Sequence, residues 1–341
     1  IKTIDKSKWV GISVYVDHMD GQIHPVTFEL IGKAREIASK INQPVYAVIA
    51  GYNIKGAAEE ILHFGVDEVF VYDYEELKYF RIEPYAAVVE DFINNKKPSI
   101  LLVGATNIGR SLAPRVAARF KTGLTADCTV LDIKENTDLV QIRPAFGGNI
   151  MAQIVTQNSR PQLATVRYKV MSAPKRLDTK SGKLTFCNIE NEKLHSGIEV
   201  IDVVKKEKEV SISDAEVIVA VGRGLKNQKD MEMIKCLADL LGASIAATRP
   251  LIESGWADVK SQIGLSGRTV KPKLIICCGI SGAVQFSAGM NNSDCIIAIN
   301  KDSKASIFNI AHIGIVGDMY KIIPELIRLI NKTRSGEEAL A

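Results

Sequence analysis

The sequence has no Cys-x-x-Cys pair. Its six cysteines, Cys128, Cys187, Cys236, Cys277, Cys278 and Cys295, are dispersed, most of them inside apolar runs where the side chain serves as a small hydrophobe. The five histidines are scattered without ligand spacing. Together these rule against a metal site and favour a reducing cytoplasm. No run reaches the about 18 apolar residues of a membrane span, and the first residues lack the basic and apolar regions of a secretory signal. The chain begins with Ile1 rather than Met, so the natural chain is expected to extend further upstream. No block of like charge occurs. Lys and Arg number 43 against 39 acids, interspersed, for a net charge of +4, which gives no footprint for nucleic acid. A Gly-x-Gly-x-x-Gly turn with a following acid is absent after the first strand, which counts against a nicotinamide enzyme. No nucleophile, base dyad or metal cluster stands out, so no catalytic residue is assigned.

What is present is an α/β rhythm in a globular composition, 46% hydrophobic and 24% charged over 341 residues, long enough for two domains. Trp9 to Asp17, Val45 to Ala50, Val69 to Tyr72 and Ile100 to Val103 read as strands. Pro25 to Ile41, Ala57 to His63 and Pro84 to Ile93 read as helices. Strands alternating with helices predict a doubly wound parallel sheet. From Thr129 the pattern breaks into short pieces, Thr129 to Ile133, Leu139 to Arg143, Ile150 to Val155, Leu163 to Arg167 and Lys183 to Ile189, which predict a β-rich extension on that sheet. The mixed charge run Lys205 to Glu209 reads as a solvated linker, dividing the chain into 1–205 and 206–341. A second α/β rhythm follows it. Ala215 to Val221, Ala243 to Ala247, Lys273 to Cys278 and Cys295 to Ile299 are strands, Asp230 to Leu241 is a helix, and Pro324 to Ile330 lies on a terminal helix.

The stretch from Gln262 to Asp302 organises the second half. The run Lys273 to Cys278 reads as a buried parallel strand. Gly279-Ile-Ser-Gly282 follows at once, and Ala283 to Ala288 opens a helix in this reading. Strand, glycine turn and helix start make an anion site from free N–H groups. Most such turns merely connect elements, and that reading stands beside it. Polar or glycine residues also end the other strands, at Arg223, Thr248-Arg249 and Asn300, and one carboxyl sheet edge would gather them. Gly104 to Arg119 is a second stretch of this kind. There a phosphate or flavin contact competes with helix packing; packing is favoured for Ala113 and Ala117, and Arg110 is left open.

Taken with Val219-Ala-Val-Gly-Arg-Gly-Leu225, Ala246-Ala-Thr-Arg-Pro250, Gly314-Ile-Val-Gly-Asp318, Gly104-Ala-Thr-Asn-Ile-Gly-Arg110, Gly123-Leu-Thr-Ala-Asp-Cys128 and Arg143-Pro-Ala-Phe-Gly-Gly-Asn149, the stretch resembles the alpha subunit of electron transfer flavoproteins over nearly the whole chain. The resemblance implies two doubly wound α/β domains, the second binding an extended FAD. It also implies a beta subunit, completing a heterodimer, that meets the first domain and holds AMP or a second FAD. A flavin-dependent acyl-CoA or hydroxy-acid dehydrogenase would be the electron partner, with ferredoxin and NADH involved if the complex bifurcates electrons. Some relatives carry an amino-terminal iron–sulfur domain. Arg143, Phe146, Gly147 and Gly148 are expected near the subunit contact.

By the same resemblance Ser266 supplies the hydroxyl at flavin N5, within a loop of Gln262, Ile263, Gly264, Leu265, Ser266 and Gly267 around the flavin edge. Gly279 and the run Ser281, Gly282, Ala283, Val284 and Gln285 hold the pyrophosphate and ribityl region. Arg223 beside Gly224 reaches a phosphate, Asn300 the adenosine half, and Asp318 with Met319 the adenine. Thr248 and Arg249 stand at the ring. A flavin that stores one electron needs its reduced, anionic form stabilised, and Arg249 is the natural source of charge. Its place between a strand end and Pro250 argues against a merely structural ion pair. One departure matters: many relatives carry histidine where this chain has Phe286, and phenylalanine cannot donate a hydrogen bond. Two readings from other classes remain open, a nicotinamide-dependent oxidoreductase and a non-catalytic adenine-nucleotide sensor.

Overall fold

The structure, a computed structural model, describes residues 4–145, 150–204 and 211–334. The chain divides into two compact units, Ile1–Ala145 with Met151–Lys205, and Phe146–Ile150 with Lys206–Ala341.

The first unit is built on a seven-stranded sheet. Its members are β1 (Ile12–Tyr15), β4 (Val45–Gly51), β5 (Glu68–Asp73), β6 (Ile100–Gly104), β7 (Leu124–Cys128), β11 (Gln162–Val166) and β12 (Lys183–Phe186), in the order β12-β5-β4-β1-β6-β11-β7. All six neighbouring pairs in it are parallel. Strands β1, β4, β6 and β11 are buried throughout, as a sheet covered on both faces requires. A two-stranded hairpin, β2 (His18–Met19) and β3 (Gln22–Ile23), turns through Asp20 and Gly21, both at positive φ. Helix α1 (Pro25–Ile41) starts with Pro25 in its first turn and His24 Nδ1 accepting from Val26 N at 3.1 Å. Val26, Leu30, Ile31, Ala34, Ile37 and Ala38 form its buried face, and Asn42 ends it in the left-handed region. Helices α2 (Lys55–Ile61), α3 (Ile82–Lys96) and α4 (Asn107–Phe120) complete the cover.

The expected β-rich extension is a three-stranded sheet of β8 (Val130–Ile133), β9 (Leu139–Ala145) and β10 (Ile150–Val155). The last two short pieces do not belong to it. β11 pairs with β6 and β12 with β5, partners about 60 and 115 positions earlier in the chain, and no local pattern announces such long-range pairing. β7, not read as a strand, joins the same sheet. At the start of α4, Thr106 Oγ1 accepts from Gly109 N at 3.0 Å and donates to the Asp17 carboxylate. That helix end is therefore capped from within. Arg110 is engaged by Asp127 at 3.0 Å, which also holds Arg167 at 3.2 Å, and Ala113 and Ala117 pack inward. Ala113 and Ala117 thus take the packing role, as favoured for them. Asp138, almost fully buried, takes Lys6 at 2.7 Å and Arg160 at 2.8 Å. Phe146, Gly147, Gly148 and the run 205–210 lie outside the described residues, and Arg143 lies in β9.

The second unit has β13 (Val217–Val221), β14 (Ser244–Ala247), β15 (Leu274–Cys278), β16 (Cys295–Asn300) and β17 (Ile313–Val316), all parallel, ordered β14-β13-β15-β16-β17. Within this unit the strand order is 2-1-3-4-5, which places the switch point of the chain's winding between β13 and β15. Helix α5 (Met231–Leu241) follows a capping box of Asn227 and Asp230 and ends at Gly242 with φ +62°. Helices α6 (Arg249–Glu253) and α7 (Val284–Ser287) are short, and α8 (Met319–Arg334) is long. The expected helix opening at Ala283 is a single turn of four residues, too short to sum a useful dipole. Any anion here must be met by turn N–H groups and side chains. α8 begins five residues before Pro324, which sits inside it rather than at its start. Among the described residues no helix is long and apolar enough to cross a membrane, and no group of three His, Cys, Asp or Glu is placed to hold a metal ion.

Candidate functional site

A cleft of about 800 Å³ lies at the carboxyl ends of the second unit's strands. All five strands contribute to it. Gly222, Arg223, Gly224 and Lys226 follow β13, and Thr248, Arg249 and Pro250 follow β14. Gly279, Ile280 and Ser281 follow β15. Ile299, Asn300 and Lys301 come from the end of β16, and Gly317, Asp318 and Met319 from beyond β17. The loop Gln262–Ser266 and the residues Ala283, Gln285 and Phe286 close the wall. A volume of this size is ordinary for a cofactor cleft.

Close backbone approach shapes the floor at the switch point. Gly224 N donates to Gly279 O at 2.9 Å. A Cβ on Gly224 would lie 2.5 Å from Gly279 Cα, and Gly279 itself has φ +61°. No larger residue fits either position without moving the turns apart. Lys226 N donates to Tyr320 Oη at 2.7 Å, and that hydroxyl donates to Asp230 Oδ2 at 2.5 Å. The start of α8 thereby pins the turn after β13.

The loop after α6 is tied both to the sheet and to itself. Ile263 N donates to Ala247 O at 3.1 Å, Leu265 N to Gln285 O at 2.8 Å, and Arg268 N to Gln262 O at 2.7 Å. Gly264, at φ +135°, has room for no Cβ, which would sit 2.6 Å from Gln285 O. Gln262 Nε2 donates to Ser266 Oγ at 2.8 Å.

Four cationic side chains, Arg223, Lys226, Arg249 and Lys301, face one carboxylate, Asp318, among the lining residues. Such a rim attracts a polyanion. Arg249 is not a lone charge: its Nε donates to Glu253 Oε1 at 2.7 Å, one turn along α6. The structural ion pair that its position argued against is therefore present, while the residue also lines the cleft. Asn300 braces the site internally, with Nδ2 donating to Ile280 O at 2.8 Å and Oδ1 accepting from Asp302 N at 2.9 Å. Phe286 packs with Ile263, Ile280 and Met290 as an apolar wall. Beneath the floor, burial pushes the Cys278 thiol up to about 12 and Cys277 likewise upward, so neither supplies a thiolate.

Of the twenty residues expected from sequence, seventeen line this cleft. Gly282, Gly267 and Val284 do not. A Cβ on Gly282 would meet Ile307 N at 2.2 Å, and one on Gly267 would meet Gln262 O at 2.4 Å. Both glycines thus serve packing within their turns, and Val284 is exposed on α7. Seven lining residues had not been singled out as site residues: Gly222, Lys226, Pro250, Ile280, Ile299, Lys301 and Gly317. Several are immediate neighbours of expected residues, so widening each strand end by one position would have found them. Lys226 had no such signal, because Tyr320 brings it in from 94 positions away.

A parallel sheet with a glycine-floored, cation-rimmed cleft at its switch point defines a nucleotide-cofactor-binding α/β domain. Sequence comparison narrows this. Residues 12–188 match the electron transfer flavoprotein domain, and residues 211–291 match the electron transfer flavoprotein FAD-binding domain. The chain is 65% identical over 335 residues to the lactate dehydrogenase (NAD(+),ferredoxin) subunit LctC of Acetobacterium woodii, covering 98% of this chain and 80% of that one. It is 44% identical to the electron transfer flavoprotein subunit alpha of Clostridium acetobutylicum, covering 95% and 98%, and 42% identical to that of Megasphaera elsdenii, covering 97% and 99%. The chain belongs to the electron transfer flavoprotein family, as an FAD-binding member of alpha-subunit type.

Proposed function

We propose that this chain is the FAD-carrying alpha subunit of a cytoplasmic heterodimer that passes electrons between a hydroxy-acid dehydrogenase and a second carrier. In this reading residues 1–205 form the domain that meets the beta subunit, and 206–341 form the FAD domain. The observation that carries it is the cleft itself, where every strand of the second unit delivers a turn and four cations surround the floor. The donor set fits FAD. A dianionic pyrophosphate suits Arg223, Lys226 and the N–H groups of the glycine turns, and the planar ring suits the Phe286 wall and the 262–267 loop.

FAD supplies reversible uptake of electrons when bound. The chain's residues do the rest. Ser281 and Gln285 meet the pyrophosphate and ribityl region, and Asp318 and Met319 border the adenine. Arg249 favours negative charge on the ring, moderated by Glu253. Ser266 presents its hydroxyl to the ring edge, while Phe286 offers no donor and keeps water away. Asn300 holds the turn at Ile280 with one amide hydrogen and keeps the other for the adenosine half.

The relative named for lactate, NAD(+) and ferredoxin supports a hydroxy-acid partner and electron bifurcation with ferredoxin and NADH. The test is to purify the chain with its beta subunit, determine flavin content and visible spectrum, then add the partner hydroxy-acid dehydrogenase and assay lactate oxidation by NAD(+) with and without reduced ferredoxin. One FAD assigned to this chain, with ferredoxin-dependent turnover, is the expected result. A colourless complex holding only AMP in this chain overturns the reading. Flavin without ferredoxin dependence removes the bifurcation part alone.

A further inference from the structure

Two turns that line the cleft are joined by one side chain. Tyr320 stands in the first turn of α8, two residues after Asp318, and its own N–H donates to Asp318 Oδ1 at 3.0 Å. Its ring is partly buried and packs against the core that α5 and α8 share. From there the hydroxyl reaches the turn after β13, 94 positions earlier in the chain. The roles in that contact are forced. Lys226 N can only donate, and does so at 2.7 Å, so the single hydroxyl proton goes to Asp230 Oδ2 at 2.5 Å. Asp230 is fixed in its turn, because the same carboxylate oxygen accepts from Asn227 N at 3.1 Å in the capping box ahead of α5. The face of the Tyr320 ring also carries the Lys226 ammonium, 4.9 Å from the ring centroid. Lys226 is thus held at its backbone by the hydroxyl and at its head by the ring, and among the described residues no carboxylate pairs with it.

We infer that Tyr320 is a positioning residue for the ADP half of the ligand, presenting the Lys226 ammonium to its phosphates. This rests on the reading that the cleft takes FAD with its pyrophosphate at the turn after β13. A lysine that swings freely at a rim loses rotamer freedom when it meets a phosphate. One that is already held loses less, and the difference appears as affinity. Arg249 differs, since its charge is shared with Glu253 and its proposed place is at the ring. Grip on the cofactor and readiness of the ring to take electrons are therefore set by separate residues, and the first can change without the second.

The test strips FAD from the alpha–beta complex and measures rebinding of FAD, and of ADP in competition with it. The variants lie in this chain, so differences from wild type report this cleft whatever the beta subunit holds. Tyr320→Phe keeps the ring and removes the hydroxyl. It should weaken FAD and ADP by the same factor, about fivefold, as for the loss of one hydrogen bond, and leave both reduction steps of the reloaded flavin unmoved. Lys226→Met, at an exposed side chain, should weaken both ligands as well. In that background Tyr320→Phe should cost less than about twofold, because the group it positions is gone. An equal loss in both backgrounds would make the hydroxyl a brace of the turn alone and overturn the proposal. So would weaker FAD with unchanged ADP, or a reduction step that moves with Tyr320→Phe. Should Tyr320→Phe lose its fold, Asp230→Ala removes the acceptor of the hydroxyl instead and is read in the same two backgrounds by the same criteria. Normal uptake of both ligands by every variant overturns the positioning role alone. If the wild-type complex rebinds neither ligand at this chain, the site reading fails and the proposal falls with it.

Discussion

Neutralising an acid at the rim should make the flavin easier to reduce, and Glu253 is that acid. Arg249 and Glu253 touch at 2.7 Å, with side chains 67% and 60% exposed. A carboxylate at contact distance reduces the guanidinium, seen from a few ångströms away, to a dipole. In the proposed placement of Arg249 at the ring, Glu253→Gln restores a net positive charge there. A unit charge at about 4 Å is worth about 4 kcal/mol at an effective dielectric of about 20 and about 1 kcal/mol in water. With two-thirds of the arginine side chain in solvent, the lower figure governs. About 1 kcal/mol corresponds to about 40 mV for one electron. Glu253→Gln is therefore expected to move the first reduction step positive by roughly 20–40 mV, Arg249→Ala to move it negative by a similar amount, and the double variant to fall near the wild type. Arg249→Lys should fall between, keeping charge but losing the planar fork. Spectroelectrochemical titration of flavin-replete protein measures all four, and the shifts should shrink at high salt as exposed charges are screened. A negative or absent shift for Glu253→Gln, alongside a clear loss at Arg249→Ala, would refute the argument that the ion pair tempers the arginine.

Two further outcomes are expected. Gly279→Ala forces a side chain into the left-handed region and to within 2.7 Å of Gly224 Cα and 2.8 Å of Met319 Sδ, costing about 2–4 kcal/mol from backbone and overpacking strain together; a thermal melt of the second unit no lower than wild type, with full flavin, would contradict it. In the first unit, burial works against the Asp138 charge, yet Lys6 and Arg160 hold its carboxyl below the usual value of 3.8. That stability is complete above pH 3.8 and is lost as pH falls through the lower folded value. Asp138→Ala leaves Arg160 buried and uncompensated, at about 3–5 kcal/mol, and chemical denaturation near neutral pH checks the size. An acid-unfolding curve for this variant with the same low-pH slope as wild type would show that Asp138 does not supply that component.

The sequence made α1 legible from end to end because Pro25, an unbroken helical period and Asn42 all agree. The cleft was largely legible for a different reason. Parallel strands end where glycine, arginine and asparagine interrupt an apolar run, and the sheet needs no further information to gather those ends. What failed depended on distance or on side-chain pairing. β11 and β12 look like any short strands until the sheet claims them. The pairing of Arg249 with Glu253 follows from α6 starting at Arg249 itself, which the following proline made look like a loop.

The 262–268 loop is bonded to the sheet as a strand would be, with a parallel bridge between Ala247 and Gln262 and a second bridge from Ile263 to Arg268. A group anchored this way has nowhere to relax when the charge in front of it changes. Electron exchange is slow wherever the surroundings must rearrange for each new charge, and quick wherever the dipoles are already set and stay set. In the proposed placement beside the flavin, a loop so fastened to the backbone of β14 makes the arrival and departure of an electron an event that the protein barely registers, so a change that loosens the Ile263–Ala247 bond would slow the traffic without altering which direction it prefers.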